Sequence, residues 1–110
     1  MKPHRVIFID KNLETIFNNL SDNDPIKKGL IKAIQDIKTD FGVGRLITKD
    51  THDKSRIKNL IDKYKIDNLR IYNLPSAWRM LYSITRSDDI KIMAIILDWM
   101  DHKDYEKLLR

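Results

Sequence analysis

Apolar residues recur at every third or fourth position over much of the chain upstream of Leu69, and at every second position beyond it. The downstream part reads as three strands, 69–74, 78–85 and 90–99, with Arg86-Ser87-Asp88-Asp89 as a four-residue turn between the last two. Alternation sends Trp78, Met80, Tyr82 and Ile84 to one face of the second of these strands, and Arg79, Leu81, Ser83 and Thr85 to the other. The Trp78 face is the apolar one and is expected to take the helices, which leaves Arg79 on the less covered face. Residues 90–97 are apolar almost throughout, the pattern of a strand covered on both sides.

Upstream, the β-branched run 4–9 predicts a first strand ended by Asp10. Asp10 suits the cap of a helix carrying Leu13, Ile16, Phe17 and Leu20 at helical spacing. Asp24 and Pro25 suit the cap and first position of a second helix, striped by Ile26, Leu30, Ala33, Ile34 and Ile37. The short loop between them predicts an antiparallel hairpin over 12–38, with Gly29 marking close helix contact. Phe41-Gly42-Val43-Gly44 breaks the second helix, and 45–48 is a short edge strand. A third helix starts at Asp53 or Ser55 and carries Ile57, Leu60, Ile61 and Tyr64; Asp67-Asn68 closes it. A last one, 102–109, turns Tyr105, Leu108 and Leu109 inward. The fold expected is α+β: the helix hairpin on a twisted, mainly antiparallel sheet of about four strands with a short C-terminal helix, in one domain of residues 1–110.

Composition narrows the function classes. A 110-residue chain with 42% hydrophobic and 34% charged residues fits a soluble globular domain with one modest core. It shows no run long enough for a membrane span and no signal-peptide pattern at its start. The lack of cysteine removes disulfides and thiolate chemistry, and fits the cytoplasm. Lys+Arg 21 against Asp+Glu 16 gives a net charge of +5, which favours nucleic acid, ribosome or an acidic protein as partner.

No metal site is expected, because His4, His52 and His102 have no paired ligand spacing. The glycines at 42 and 44 are not a phosphate loop, as no Gly-Lys-Ser/Thr follows. What remains is Arg79, Arg70, His102, Lys103 and Tyr105. RNA transesterification needs a base for the 2′-hydroxyl, a cation for the charge on phosphorus and an acid for the leaving 5′-oxygen. Histidine is the side-chain type whose ordinary pKa lies near neutral pH, so His102 suits proton transfer. Arg79 offers a planar fork to a phosphate, and Tyr105 a proton or a stacking surface. Structural roles fit the same residues: Arg79 in a carboxylate pair, Tyr105 in the core of the last helix, His102 as its cap. With a four-residue turn, Arg79 falls opposite Ile96, so it meets His102 only if the chain folds back at 99–101.

At these residues the chain resembles the RelE/ParE toxin superfamily of type II toxin–antitoxin systems, and within it the archaeal-type RelE-like members. The likeness is carried by Asn68-Leu69-x-x-Tyr72-x-Leu74-Pro75-x-x-Trp78-Arg79-x-x-Tyr82 and by Asp101-His102-Lys103-x-Tyr105. It is close over the C-terminal half and holds upstream in element order only. The resemblance implies a ribosome-associated endoribonuclease that cuts mRNA in the A site without a metal or other cofactor. It also implies an acidic antitoxin partner encoded by the adjacent gene. By it, Arg79 stands where the family contacts the scissile phosphate. His102 and Tyr105 stand where it keeps acid–base or base-stacking residues, with Arg70 and Lys103 expected to bind RNA. Asp98, Asp101 and Asp104 around His102 favour an acid over a base there. ParE-type relatives share the fold and poison DNA gyrase without cutting RNA, so the alternative is such an inhibitor or an inactive antitoxin-binding protein.

Overall fold

β4 (Arg79–Arg86) runs through the middle of a five-stranded sheet. β5 (Ile92–Met100) and β3 (Leu69–Asn73) flank it, and β1 (Arg5–Phe8) and β2 (Arg45–Ile47) form the edges, in the order β1-β5-β4-β3-β2. The computed structural model describes residues 5–47, 55–66, 68–86 and 92–109. His4, Thr48, His52, Asp53, Asp67, Ser87, Asp88, Asp89 and Ile90, and the side chains of Ile57, Leu60, Leu108 and Leu109, lie outside the described residues.

The expected sheet of about four strands is corrected to one of five, mainly antiparallel as expected but with one parallel pair. β1 runs parallel to β5, Arg5 opposite Met93 and Phe8 opposite Ile96. A strand with no hairpin neighbour carries no local signal for its direction, and this one closes the open edge of β5. The other pairs are antiparallel.

Caps set the helix starts as the sequence predicts. Asp10 Oδ1 accepts from the Leu13 N–H at 2.8 Å and starts α1 (Lys11–Asn19). Asp24 Oδ1 accepts from the Ile26 N–H at 2.8 Å, with Pro25 the first residue of α2 (Pro25–Thr39). α3 spans Ser55–Tyr64 and α4 spans His102–Leu109. Asp101, not His102, caps α4: its Oδ1 accepts from the Asp104 N–H at 2.9 Å and its carbonyl from the Tyr105 N–H at 3.0 Å. Each such cap is worth about 1 kcal/mol.

The sheet carries a core on each face, the larger on the α1–α2 side, so Arg79 lies on the less covered face as expected, though that face too is covered. On one face Leu30, Ala33 and Ile37 of α2 meet Met80, Tyr82, Ala94 and Ile96, with Leu13 and Phe17 of α1 and half-buried Trp78 and Trp99 packed around them. On the other, Ile47, Leu69, Ile71, Leu81 and Leu97 are covered by Tyr105 of α4 and by Ile61 and Tyr64 of α3. Ile16 departs from its predicted inward stripe and is 45% exposed. Lys27 leans back along α1: its Nζ donates to the Leu20 carbonyl at 3.0 Å, pairs with Asp22 and lies 5.6 Å from the Phe17 ring centroid.

Gly29 does mark a close approach, but to the turn after β3 rather than to another helix. A Cβ there would lie 2.6 Å from Pro75 Cδ, inside a rigid ring. Gly29→Ala is therefore expected to lower the urea midpoint. Overpacking of this kind costs about 1–3 kcal/mol, against a helix-propensity gain of about 1 kcal/mol. A raised midpoint would show that Pro75 moves aside freely.

Candidate functional site

The pairing of β4 with β5 decides what Arg79 can reach. Arg86 pairs with Ile92, which leaves 87–91 as the connection, a residue longer than the predicted turn. That register alone would put Arg79 opposite Trp99 rather than the predicted Ile96, and the strand ends with Arg79 opposite Met100. A bulge adds to the offset, since Leu81 pairs with Asp98 and Tyr82 with Ile96, so Leu97 and Asp98 share the side of Leu81. α4 begins two residues beyond Met100. The fold-back needed at 99–101 is thus supplied by the strand end and the Asp101 cap.

Arg79 itself follows a tight turn, Pro75–Ala77, closed by a 2.9 Å bond from the Leu74 N–H to the Trp78 carbonyl. Ser76 and Ala77 take φ of 58° and 63° there, left-handed conformations that cost a non-glycine residue about 1–2 kcal/mol each. The strained turn delivers Arg79 to the α3–α4 face. Its Nη1 donates to the Trp78 carbonyl at 3.1 Å, and its guanidinium carbon lies 5.5 Å from the Tyr105 ring centroid.

Tyr105 is 5% exposed, held by α4 against Ile71, Leu81 and Leu97. Its hydroxyl accepts from Arg45 Nη2 at 3.1 Å. Arg45 opens β2 opposite Ile71, so it points to the same face. Two guanidiniums therefore meet on one tyrosine, Arg79 over the ring and Arg45 at the hydroxyl. Neither has a carboxylate ion-pair partner among the described residues. Cation–π contact contributes about 0.5–2 kcal/mol, while two neighbouring cations repel, and a shared anion relieves that repulsion. Planar guanidiniums match phosphate oxygens in a bidentate manner. The arrangement can therefore hold a phosphate.

Of the other predicted residues, Arg70 lies on the opposite face of the sheet, and His102 and Lys103 are exposed on α4. Arg70 pairs with Tyr82 across the sheet and lies on the α1–α2 face, where its Nη1 donates to the Gly44 carbonyl at 2.9 Å. His102 is exposed and its Nε2 lies 3.3 Å from Glu106 Oε1. Its ion partner is thus Glu106 rather than Asp98, Asp101 or Asp104. Lys103 is exposed, about 200° round α4 from Tyr105 at roughly 100° per residue. Comparison with known protein families, curated proteins and solved structures gave no match.

Arg45 is the residue that sequence reasoning missed. Its signal was the alternation with Ile47 in the short edge strand, which assigns no face until the register with β3 is known. Asp98 was seen only as a neighbour of His102. The bulge turns it instead toward Lys63 and Asp104, with its Oδ1 accepting from the Trp99 N–H at 2.8 Å. Burial pushes its carboxyl pKa above the ordinary 3.8; Trp99 N–H and Lys63 oppose the rise and Asp104 adds to it. A raised folded-state pKa favours the neutral acid, so this contribution to stability is full below pH 3.8 and is lost as pH rises through the folded value. Asp98→Asn is accordingly expected to raise the melting temperature at pH 7, with the gain closing on acidification. A loss at pH 7 would mean that the charged form is needed. Among the described residues no group of three or more His, Cys, Asp or Glu is placed to hold a metal ion.

Proposed function

We propose that this chain is a RelE-like toxin of a type II toxin–antitoxin system, acting in the cytoplasm as a ribosome-associated mRNA endoribonuclease without a metal or small-molecule cofactor. The observation that carries the reading is the convergence of Arg79 and Arg45 on Tyr105, beside the start of α4. In this reading α1 and α2 are the helix hairpin of a RelE-like domain. Arg79 and Arg45 hold the scissile phosphate and take up the charge that develops as the 2′-oxygen attacks phosphorus. The 2′-hydroxyl proton passes to water or ribosomal RNA, and the bond from phosphorus to the 5′-oxygen breaks to leave a 2′,3′-cyclic phosphate. His102, at the exposed start of α4, gives up Glu106 to deliver a proton to the leaving oxygen. Tyr105 orients the two guanidiniums, and Lys103 attracts RNA from further out.

The partner is an acidic antitoxin that covers Arg79 and Arg45. Its association rate falls as salt rises, because screening shortens the reach of the field to about 10 Å at 0.1 M. A specific observation favours a second reading. His102 is paired outward with Glu106, and Tyr105 is buried, which suits a non-catalytic binder such as a ParE-like gyrase inhibitor or an inactive antitoxin-binding protein.

A translation extract programmed with a defined mRNA separates the two. Ribosome-dependent cuts at A-site codons support the nuclease. An intact message beside inhibited gyrase supercoiling replaces it with the binder.

A further inference from the structure

Arg70 lies behind the sheet from Arg79, yet it is bonded to the peptide that leads into Arg45. Its Nη1 donates to the Gly44 carbonyl at 2.9 Å, and that carbonyl belongs to the Gly44–Arg45 peptide. The Gly44 N–H donates to Tyr82 Oη at 2.7 Å, and Tyr82 Oη donates to the Phe41 carbonyl at 2.8 Å. Both polar groups of Gly44 are thus held from the α1–α2 face, while Arg45 turns to the α3–α4 face opposite Ile71. Glycine is needed for this approach: a Cβ on Gly44 would lie 2.5 Å from Tyr82 Oη and 2.9 Å from the Ile71 carbonyl oxygen.

β2 is an edge strand of three residues with Arg45 at its first position and exposed, so its ladder to β3 alone holds that residue weakly. We infer that Arg70 and Tyr82 are positioning residues which, through the Gly44 backbone, set where Arg45 presents its guanidinium beside Tyr105 and Arg79. The inference rests on the phosphate reading of that cluster. It moves Arg70 from RNA contact to support behind the sheet.

Two measurements test it on the full chain. In the free protein, Arg70→Ala and Tyr82→Phe should each move the Arg45 Nε–Hε and Tyr105 ring NMR signals, although Arg70 bonds to neither side chain. Arg70→Lys should restore them in part, since an ammonium can still donate to the Gly44 carbonyl. Unmoved signals would overturn the inference whatever RNA does.

The second measurement is binding of a short, fluorescently labelled 2′-O-methyl RNA, which lacks the attacking hydroxyl. Arg45→Ala and Arg70→Ala should each weaken binding about tenfold, within the usual range for coupled neighbours. Each should lower the salt slope by about 0.7, one phosphate contact on a single strand. The double variant should bind no worse than Arg45→Ala. Where Arg45→Ala weakens binding, a further loss in the double variant would make Arg70 a direct contact, and an unaltered affinity in Arg70→Ala would remove its role; either result overturns the inference. If the NMR signals move but Arg45→Ala binds as well as the parent, the positioning stands and the phosphate reading falls.

Discussion

Arg79→Ala is expected to reduce ribosomal mRNA cleavage by about 10²–10³, the usual loss when one donor to a developing negative charge is removed. The chain should stay folded, since Arg79 is half-buried and its contacts are the Trp78 carbonyl and the Tyr105 ring. Arg79→Lys should recover only part of the activity, because a point charge replaces a planar fork. His102→Ala is expected to cost less than Arg79→Ala, as the imidazole stands outward against Glu106 and water or ribosomal RNA can pass a proton. Cleavage counts in extract, normalised to circular dichroism of each variant, decide the order. A His102 loss beyond about 10³, near the middle of the range for proton-transfer groups, would mean that the first turn of α4 rearranges on the ribosome. Unaltered cleavage in both variants would leave Arg79 and His102 structural residues and place the chemistry of cleavage elsewhere.

Local chemistry made much of this fold legible in the sequence. The carboxylates Asp10 and Asp24 sit one residue before their helices, and a short side chain accepting from the first-turn N–H groups needs nothing from the rest of the fold. The stripe Ile26, Leu30, Ala33, Ile34 and Ile37 packs as one face for the same reason. Register is different, because it depends on two segments at once. Alternation along β4 assigned Arg79 and Met80 to the correct faces, but a single extra residue at Leu97 re-aims the end of β5. That residue is apolar like Ile95 and Ile96 before it, so nothing in the pattern marks it.

The same limit explains the site. Tyr105 was legible as inward on α4 and Arg79 as outward from the Trp78 face, and the two do meet. Arg45 was not, because a charged residue opening a three-residue strand looks like any surface arginine. Arg70 shows the reverse error. It lies one residue from Ile71 on β3, and that single step puts it on the other side of the sheet.

Loss of the Tyr82 hydroxyl is expected to be among the most destabilising single-atom changes in the chain. Tyr82 is fully buried, and its oxygen both accepts from the Gly44 N–H and donates to the Phe41 carbonyl. Tyr82→Phe keeps the ring and strands both backbone groups, at about 1–3 kcal/mol for each that water cannot reach. A net loss of about 2–4 kcal/mol follows, a large share of the roughly 5–15 kcal/mol available to a domain. Tyr82→Ala adds a cavity worth about 3–5 kcal/mol and is expected to unfold the chain. Gly44→Ala fails by the complementary route, because its Cβ meets both Tyr82 and the Ile71 backbone. Combining it with Tyr82→Phe should rescue little, since Cε1 and the Ile71 carbonyl remain in the way.

Alkali provides the control. Burial pushes the Tyr82 phenol pKa above the ordinary 10.0, with Asp40 adding to the rise and the Gly44 N–H and Arg70 opposing it. A raised folded pKa favours the neutral phenol, so its contribution is full below pH 10.0 and is lost as pH climbs through the folded value. Urea midpoints taken from pH 7 to 11 should therefore fall less steeply in Tyr82→Phe than in the parent chain. The fall that remains belongs partly to Tyr72, whose pKa is raised by burial and then by its bond to Asp36. Equal midpoints for Tyr82→Phe and the parent at pH 7 would show that the hydroxyl does not hold the Gly44 turn.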